Sequence, residues 1–409
     1  MVDHALFEAE ISQPSPSIQV RALSYAIGAL GAFSVPELRC HVERCYQQSR
    51  ILLDLCERQD TGEALTSINT VQACTLLTLY ELKQPNFGRA WMSLGRAIRL
   101  GKMMGLDQAD GHSGMAARWF PSTQPIPPLS PAEAEERRRT FWVLYILDAF
   151  ASTSKKGGIV FNDEILVALP GPEFSIRDFI KTGITMRPLS QIFDSDILGK
   201  IPLSSFAGIA IMVNLYQRCS DHIKSSSHQQ SHNFWDTHYG IDKAIGLCRT
   251  SLLVEHLNGN SCDDPVSLAL RMSVDTVEIM LHECALLKVQ KNKLPSVLTT
   301  DAISKCTSAA TDIVDSLQMG ERLTGRKLES FQQLSNFHAW PITTATHICC
   351  SMLLNGCDDG SPYMHAIRIL SGSTITKFLI EQQLIAPGLL ERADALVAAA
   401  EKSTAITQT

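Results

Sequence analysis

The sequence predicts an all-α protein built as a single large helical array. Three observations carry that expectation. Apolar residues recur at a helical period in nearly every long segment, as in SIQVRALSYAIGALGAF (17–33) and PELRCHVERCYQQSRILLDLCERQ (36–59). No stretch shows convincing strand alternation, and no internal repeat of fixed period is present. Apolar residues make up 45% of the 409-residue chain and charged residues 19%, a balance that furnishes a large interior.

Taken in order, residues 1–16 read as an N-terminal tail, 17–402 as the helical domain and 403–409 as a C-terminal tail. Pro36 stands where a helix begins, a position at which its missing N–H is no loss. INTVQACTLLTLYELKQ (68–84) is apolar nearly all round, the mark of a helix surrounded by others. GRAWMSLGRAIRLGKMMG (88–105) carries a face of small residues at Ala90, Ala97 and Gly101, and Gly105 suits a left-handed C-terminal cap. Residues 106–130 hold four prolines and two glycines and read as a long loop. Residues 153–190 are mixed, with a turn at LPGPEF, and KSSSHQQSHN (224–233) reads as a low-complexity connection. Helical patterns resume at 234–258, 265–291, 299–318, 334–355, 363–385 and 387–402.

The segment PAEAEERRRTFWVLYILDAF (131–150) poses the main functional question, because three consecutive arginines enter an apolar run. Ser130-Pro131-Ala132-Glu133 is a capping box with proline at the first helical position. Glu133, Glu135 and Glu136 fill the first turns, as the helix dipole favours. Glu133–Arg137 and Glu135–Arg139 are i,i+4 pairs in the stabilising orientation. Arg137, Arg138 and Arg139 fan across about 200° of the helix surface and cannot make one patch. Residues 131–156 hold five basic and four acidic side chains. The arginines therefore read as helix electrostatics and packing. A net charge of −6 and a pI of about 6.1 point the same way, since a phosphate-gripping domain carries a basic excess.

Asp148 follows FWVLYIL in a helix that must be mostly buried, and a buried carboxylate needs a partner. Arg96 or Arg99 is expected to supply it as an ion pair. Of the twelve histidines, His228 and His232 stand at i,i+4 with His238 nearby, but no cysteine or carboxylate set accompanies them, so no metal is expected. LHECALL (281–287) lacks the second histidine of HExxH. His347 beside Cys349 and Cys350 on an apolar helix reads as core packing. GxGxxG, Walker-type and GxSxG motifs are not found, and no cofactor is expected. No catalytic constellation emerges; the side chains left as candidates are Asp148, His338 and His347. A mainly apolar pocket is expected beside Phe141, Trp142 and Tyr145, or near His338, Trp340 and His347, where Pro341 interrupts the helical pattern.

The twelve cysteines contain no CxxC and sit in apolar contexts, as reduced thiols of a cytosolic or nuclear protein do. The start, MVDHALFEAE, has no basic n-region of a signal peptide, and no stretch of about 18 apolar residues suits a transmembrane helix. A nuclear or cytoplasmic location follows, with no membrane partner.

TVQACTLLTLYELKQPNFGRAWMSLGRAIRLGKMMGLD, followed by EAEERRRTFWVLYILDAFAS, resembles the fungal-specific transcription factor domain. That domain is the regulatory middle homology region found downstream of binuclear zinc cluster DNA-binding modules. The likeness runs through the helix from Gln72 to Leu82, then Ala90, Trp91, Met92, Gly95, Arg96, Ala97 and Arg99, then Gly105-Leu106. It continues through Glu136, Arg138, Arg139, Phe141 or Trp142, Tyr145 and Asp148, so that the motif core spans 68–152. Two departures stand out. The family's Gly-Arg-Pro is replaced by STSKKGGIVFNDEILVALP (152–170), which keeps only Leu169-Pro170. No zinc cluster is expected, since neither Cys40-x4-Cys45 nor Cys349-Cys350 has zinc-site spacing, and no such module is expected upstream of the helical domain. The resemblance implies a transcription regulator of a metabolic or secondary-metabolite pathway. It would bind a small-molecule ligand or a coregulator and reach DNA through a DNA-binding partner protein, or through a domain lost from this chain, rather than by its own direct contact. An enzyme of non-covalent cyclase or isomerase type, evolved on the same scaffold, is the alternative, and a plain interaction scaffold is a third.

Overall fold

A computed structural model describes residues 1–59, 62–84, 87–108, 129–153, 160–161, 165–171, 180–183, 185–193, 203–226, 233–256, 265–324, 335–354, 361–381 and 384–407. Among them the protein is all-α, as the periodicity requires. Fifteen α-helices, a 3-10 turn and one π-helical segment carry the described chain. The one β-type pairing there is an antiparallel bridge between Ala168 and Pro188. Most of the loop expected at 106–130, and 227–232 of the low-complexity connection, lie outside the described residues. The helices group into two compact units, residues 1–210 and 211–409.

The first unit begins with α1 (His4–Ile11), inside the segment read from sequence as a tail. Its cap is Asp3, whose carboxylate accepts the Leu6 N–H at 3.0 Å. Then come α2 (Ile18–Ser34), a 3-10 turn (Pro36–His41), α3 (Val42–Glu57), α4 (Ile68–Leu82), α5 (Phe87–Met103), α6 (Pro131–Thr153) and the short α7 (Leu189–Ile192). Helix α2 packs against α3 and α4, and α4 against α5. Ala22, Ala26 and Ala29 let α2 lie close to its neighbours, and all three are fully buried. Helix α4 is buried on nearly every side, as its composition foretold, and its polar groups bond both within the helix and to neighbouring helices. Thr75 and Thr78 donate to Val71 O and Cys74 O one turn back, at 2.7 and 2.9 Å. Glu81 accepts from the Tyr46 hydroxyl at 2.6 Å.

Helix α5 ends as its sequence predicts. Gly105 has φ +66°, the Leu106 N–H reaches Gly101 O and the Gly105 N–H reaches Lys102 O, both at 3.0 Å. These are the paired bonds of a Schellman cap. The small face of α5 meets α6: a Cβ on Gly101 would stand 3.0 Å from Leu144 Cδ1.

The second unit begins within α8 (Ser205–Ser226). Helix α9 (Phe234–Cys248) runs on as a π-helical segment (Arg249–His256). Two long helices, α10 (Pro265–Asn292) and α11 (Ser296–Thr324), pack antiparallel: Gly320 lies against Leu268, and Cys306 lies against Ile279. They share a core with α12 (Ser335–Leu354), α13 (Ser361–Gly372) and α14 (Thr374–Glu381), through Met272, Ile313, Leu317, Ile342, Leu370 and Leu379. Helix α15 (Pro387–Thr407) seats Ala393 and Val397 against Cys349 and Ile367, and takes in most of the expected C-terminal tail. Helix α12 runs through Pro341 without the expected interruption. In the second turn the proline removes one ladder bond, and its burial in the core holds the helix together. No described helix is long and apolar enough to cross a membrane.

Candidate functional site at the motif helices

Several of the residues that carry the family resemblance converge where α4, α5 and α6 meet. Gln72 is fully buried on α4. Its Nε2 donates to Glu136 Oε1 at 3.0 Å and to Thr140 Oγ1 at 3.3 Å, both on α6, and lies 3.3 Å from Met1 O. Glu136 Oε1 also accepts the Asp3 N–H at 3.0 Å. Burial pushes the Glu136 carboxyl upward, and the bond from Gln72 opposes that rise. Glutamine suits the position because its amide donates into a buried carboxylate without adding charge.

One residue away on α6, Glu135 collects the charged bonds of the node. It is 1% exposed and accepts from Arg138, from Arg139 Nε at 2.9 Å and from the Gly171 N–H at 2.8 Å. The same carboxylate thus holds two of the three arginines and ties residue 171 to the helix. Arg137 donates to Met104 O at 2.8 Å, at the carbonyl end of α5. The expected Glu135–Arg139 pair is present. Glu133 attracts Arg137 electrostatically and also completes the capping box: the Ser130 N–H donates to Glu133 Oε2 at 2.8 Å, and the Glu133 N–H reaches Ser130 Oγ at 3.3 Å.

Asp148 is buried but is not paired with Arg96 or Arg99. Its Oδ2 accepts the N–H groups of Val160 and Phe161 at 2.7 and 3.0 Å. Burial raises its pKa, against the pull of those two bonds and of Lys102. Lys102 donates to Val160 O at 2.9 Å and stands 5.3 Å over the Phe161 ring. Arg96 instead reaches across to α3, at Glu57 and, at 3.7 Å, Asp54, while Arg99 is exposed. An ion pair was expected because backbone donors from a distant segment leave no mark in a sequence. A long, flexible arginine also finds a carboxylate at lower desolvation cost near the surface.

The aromatic motif residues sit at the centre. Trp142 Nε1 donates to Ala168 O at 2.7 Å, fastening the segment that keeps Leu169-Pro170. Phe141 lies 5.1 Å from Trp142 and 5.3 Å from Phe161, both edge-on, and Trp142 stands edge-on to Tyr145 at 5.4 Å. Phe141, Trp142 and Tyr145 are 1%, 0% and 0% exposed, so the rings expected to line a pocket fill a core against one another. Trp91 is half-buried against Phe87, and Gly95 lies under the Arg99 guanidinium. The node answers each carboxylate with fixed donors. That arrangement holds helices in register.

The second unit holds the other named candidates. His338 is buried, and Trp340 stands edge-on to Tyr216 at 4.5 Å. His347 is exposed, not packed in the core as expected, because α12 turns that side away from its helical neighbours while Cys349 points inward. His228 and His232 lie outside the described residues, and among those described no group of three histidine, cysteine or carboxylate side chains has metal-holding geometry.

Sequence reasoning missed two polar seams here. His282 Nε2 lies 3.1 Å from Asp242 Oδ1, and Lys305 donates to Asp242 Oδ2 at 3.0 Å. Those contacts hold the Asp242 carboxyl far below its usual range, and His238 stands edge-on to His282 at 5.3 Å. Arg249, where α9 passes into the π segment, meets Glu278, Asp275 at 2.7 Å and Asp312 at 3.7 Å. Burial pushes the Asp275 carboxyl up to about 7, against the pull of Arg249. The available signal was the polar stripe Asp275, Glu278, His282 at helical spacing on an otherwise apolar helix.

The family model of the fungal specific transcription factor domain matches residues 7–250. A depudecin biosynthesis cluster-specific transcription activator of Fusarium langsethiae is 29% identical over 357 residues, covering 83% of this chain and 54% of that protein. A pigment biosynthesis transcriptional activator of Monascus ruber is 28% identical over 283 residues, 65% of this chain and 47% of the relative. An azaphilone cluster-specific transcription factor of Aspergillus niger is 30% identical over 245 residues, 57% of this chain and 50% of the relative. The chain thus spans about half the length of the curated relatives it matches. No solved structure matches it.

Proposed function

Because the chain belongs to the fungal specific transcription factor domain family, we propose that it is the regulatory helical region of a nuclear activator of a secondary-metabolite gene cluster. The observation that carries this reading is the motif node itself. Gln72 is bonded to Glu136, while Arg138 and Arg139 are held by Glu135, Trp142 by Ala168 O and Asp148 by the Val160 N–H, so that helix α6 is fastened along its length by motif residues. The relatives that match over most of the chain are activators of such clusters.

In this reading the helical region receives a small-molecule ligand or a coregulator and passes the outcome to transcription. It does not grip DNA. The net charge of −6 and the turning inward of Arg137, Arg138 and Arg139 support that division of labour. DNA is then reached through a separate module or a partner protein. The test fuses the chain to a heterologous DNA-binding module in a fungal host with a reporter. Reporter activation by the fusion, together with no sequence-dependent gel shift by the purified chain at nanomolar concentration and physiological salt, is the expected result. A silent reporter with well-expressed fusion overturns the regulatory reading.

A further inference from the structure

We propose that the histidine-lined packing of α9 against α8 and α10 is an acid-sensitive switch, in which protonation of His238 and His222 parts α9 from its neighbours. His222 on α8 and His238 on α9 are 4% and 3% exposed. Both rings stack on Phe234, at 4.5 and 5.9 Å between centroids, and they stand 5.9 Å from each other. His238 lies a further 5.3 Å from His282 on α10. Among the described residues His222 Nε2 and His238 Nδ1 have no hydrogen-bond partner. A proton added to either ring would create a buried cation with an undirected N–H.

The surrounding charges make that cation worse. From α10, Lys288 acts on His222 and stands 5.1 Å over the Phe234 ring they share. On His238 act His282 from α10, His222 from α8, Lys305 from α11 and, from α9 itself, Asp242. Asp242 is the carboxylate of that set, and His282 and Lys305 already hold both its oxygens. Lys305 also feels Asp301 on its own helix and Glu278 on α10. Burial is the first cause of a lowered pKa at both rings, with His238 brought to about 4.

A histidine held neutral in the closed state and free to protonate in the open one drives opening as pH falls below its ordinary value of about 6.5. One pH unit lower multiplies the open population about tenfold for one such histidine and about a hundredfold for two. Asp275 titrates in the opposite sense within the same unit, so overall stability would blur the effect. Local hydrogen exchange of residues 233–248 resolves it, measured at pH 7.5 and 5.5 after correction for intrinsic rates, with α2 as the internal reference.

Acid is expected to speed exchange in α9 at least about tenfold relative to α2. His238→Phe, which keeps the stacked ring, should cut that acid response about tenfold. Lys288→Gln, a substitution at a half-buried side chain that leaves both rings in place, should weaken it by relieving the repulsion on His222 and serves where the first variant does not fold. In the wild-type chain the His238 ring proton should titrate well below 6.5 by NMR. An α9 response equal to that of α2, an acid response undiminished in the folded variants, or a His238 midpoint at or above 6.5 overturns the proposal.

Discussion

The two units handle buried charge in opposite ways. On the motif helices Glu135 is met by two arginines and a backbone N–H, and Asp148 by two backbone N–H groups. In the second unit Arg249 faces Asp275, Glu278 and Asp312 together, and two buried histidine nitrogens have no partner among the described residues. In the first unit Glu135 and Asp148 are thus met by fixed donors. In the second unit burial moves two groups far from their ordinary values, the Asp275 carboxyl up to about 7 and the His238 ring down to about 4. The contrast assigns stiffness to the first unit and responsiveness to the second.

The sharpest way to break that contrast is Glu135→Ala. It removes the buried carboxylate to which two partly buried guanidinium groups and the Gly171 N–H donate, and removing one partner of a buried pair costs roughly 3–5 kcal/mol. Urea denaturation should show a loss of that order. Hydrogen exchange should place it in α6 and around residue 171, with α10 and α11 unaffected. A loss below about 1 kcal/mol would mean that Glu135 behaves as a surface ion pair and that the first unit is not framed by it.

Asp148→Ala comes next. It leaves the N–H groups of Val160 and Phe161 without their acceptor, and an unsatisfied buried donor costs roughly 1–3 kcal/mol. Asp148→Asn keeps a carbonyl oxygen in place and should cost less. The ordering separates a backbone-anchoring role from an ion pair. Charge removal alone would hurt both variants equally if an arginine or Lys102 were the main partner.

How much of this was legible follows from where each signal resides. The capping box at Ser130, the left-handed Gly105, the small face of α5 and the fully buried α4 are local patterns, and the structure repeats them. The turning inward of the arginines was half legible. Their fan around the helix ruled out a patch, but Met104 O and Gly171 N–H, which complete the network, belong to other segments. Asp148 was assigned to arginines for the same reason. Backbone N–H groups exist at every position, so sequence cannot single out those of residues 160 and 161. Helix α1 was overlooked because eight residues give too little period to recognise, although Asp3 stands at its cap. His347 was read inward because a strongly apolar helix hides which of its sides meets solvent. The histidine cluster was invisible because His222, His238 and His282 come from three separate helices, whose packing no local pattern reveals.

Titration sharpens the comparison from the other side. The Asp275 pKa is raised in the folded protein, so its folded form holds a proton that the unfolded chain releases near its ordinary carboxylate pKa of about 4. Its burial therefore weighs most heavily above pH 7 and lightens as pH falls toward 4. The His238 pKa is lowered, so that group destabilises the fold as pH falls from about 6.5 toward 4. The two slopes oppose each other between about pH 4 and 6.5. Asp275→Asn should remove one of them and leave a steeper acid loss than the wild type shows in thermal denaturation across that range. If the variant and the wild type track each other at every pH, Asp275 does not titrate in the window and the responsiveness of the second unit rests on the histidines alone.

The smallest effect concerns helix starts. Helix α6 carries the reciprocal bonds between Ser130 and Glu133, while Asn233 at the start of α9 makes no side-chain cap bond. The difference matches the division between the units, since a capped helix frays less than an uncapped one. Ser130→Ala removes a hydroxyl acceptor and should cost about 1 kcal/mol, with faster exchange confined to the first turn of α6. The corresponding Asn233→Ala should change little, because no side-chain bond is lost. Equal losses at the two positions would show that Asn233 caps α9 in solution. Helix α9 would then be held at its start as firmly as α6, and its readiness to part from α8 would have to come from the histidine rings alone.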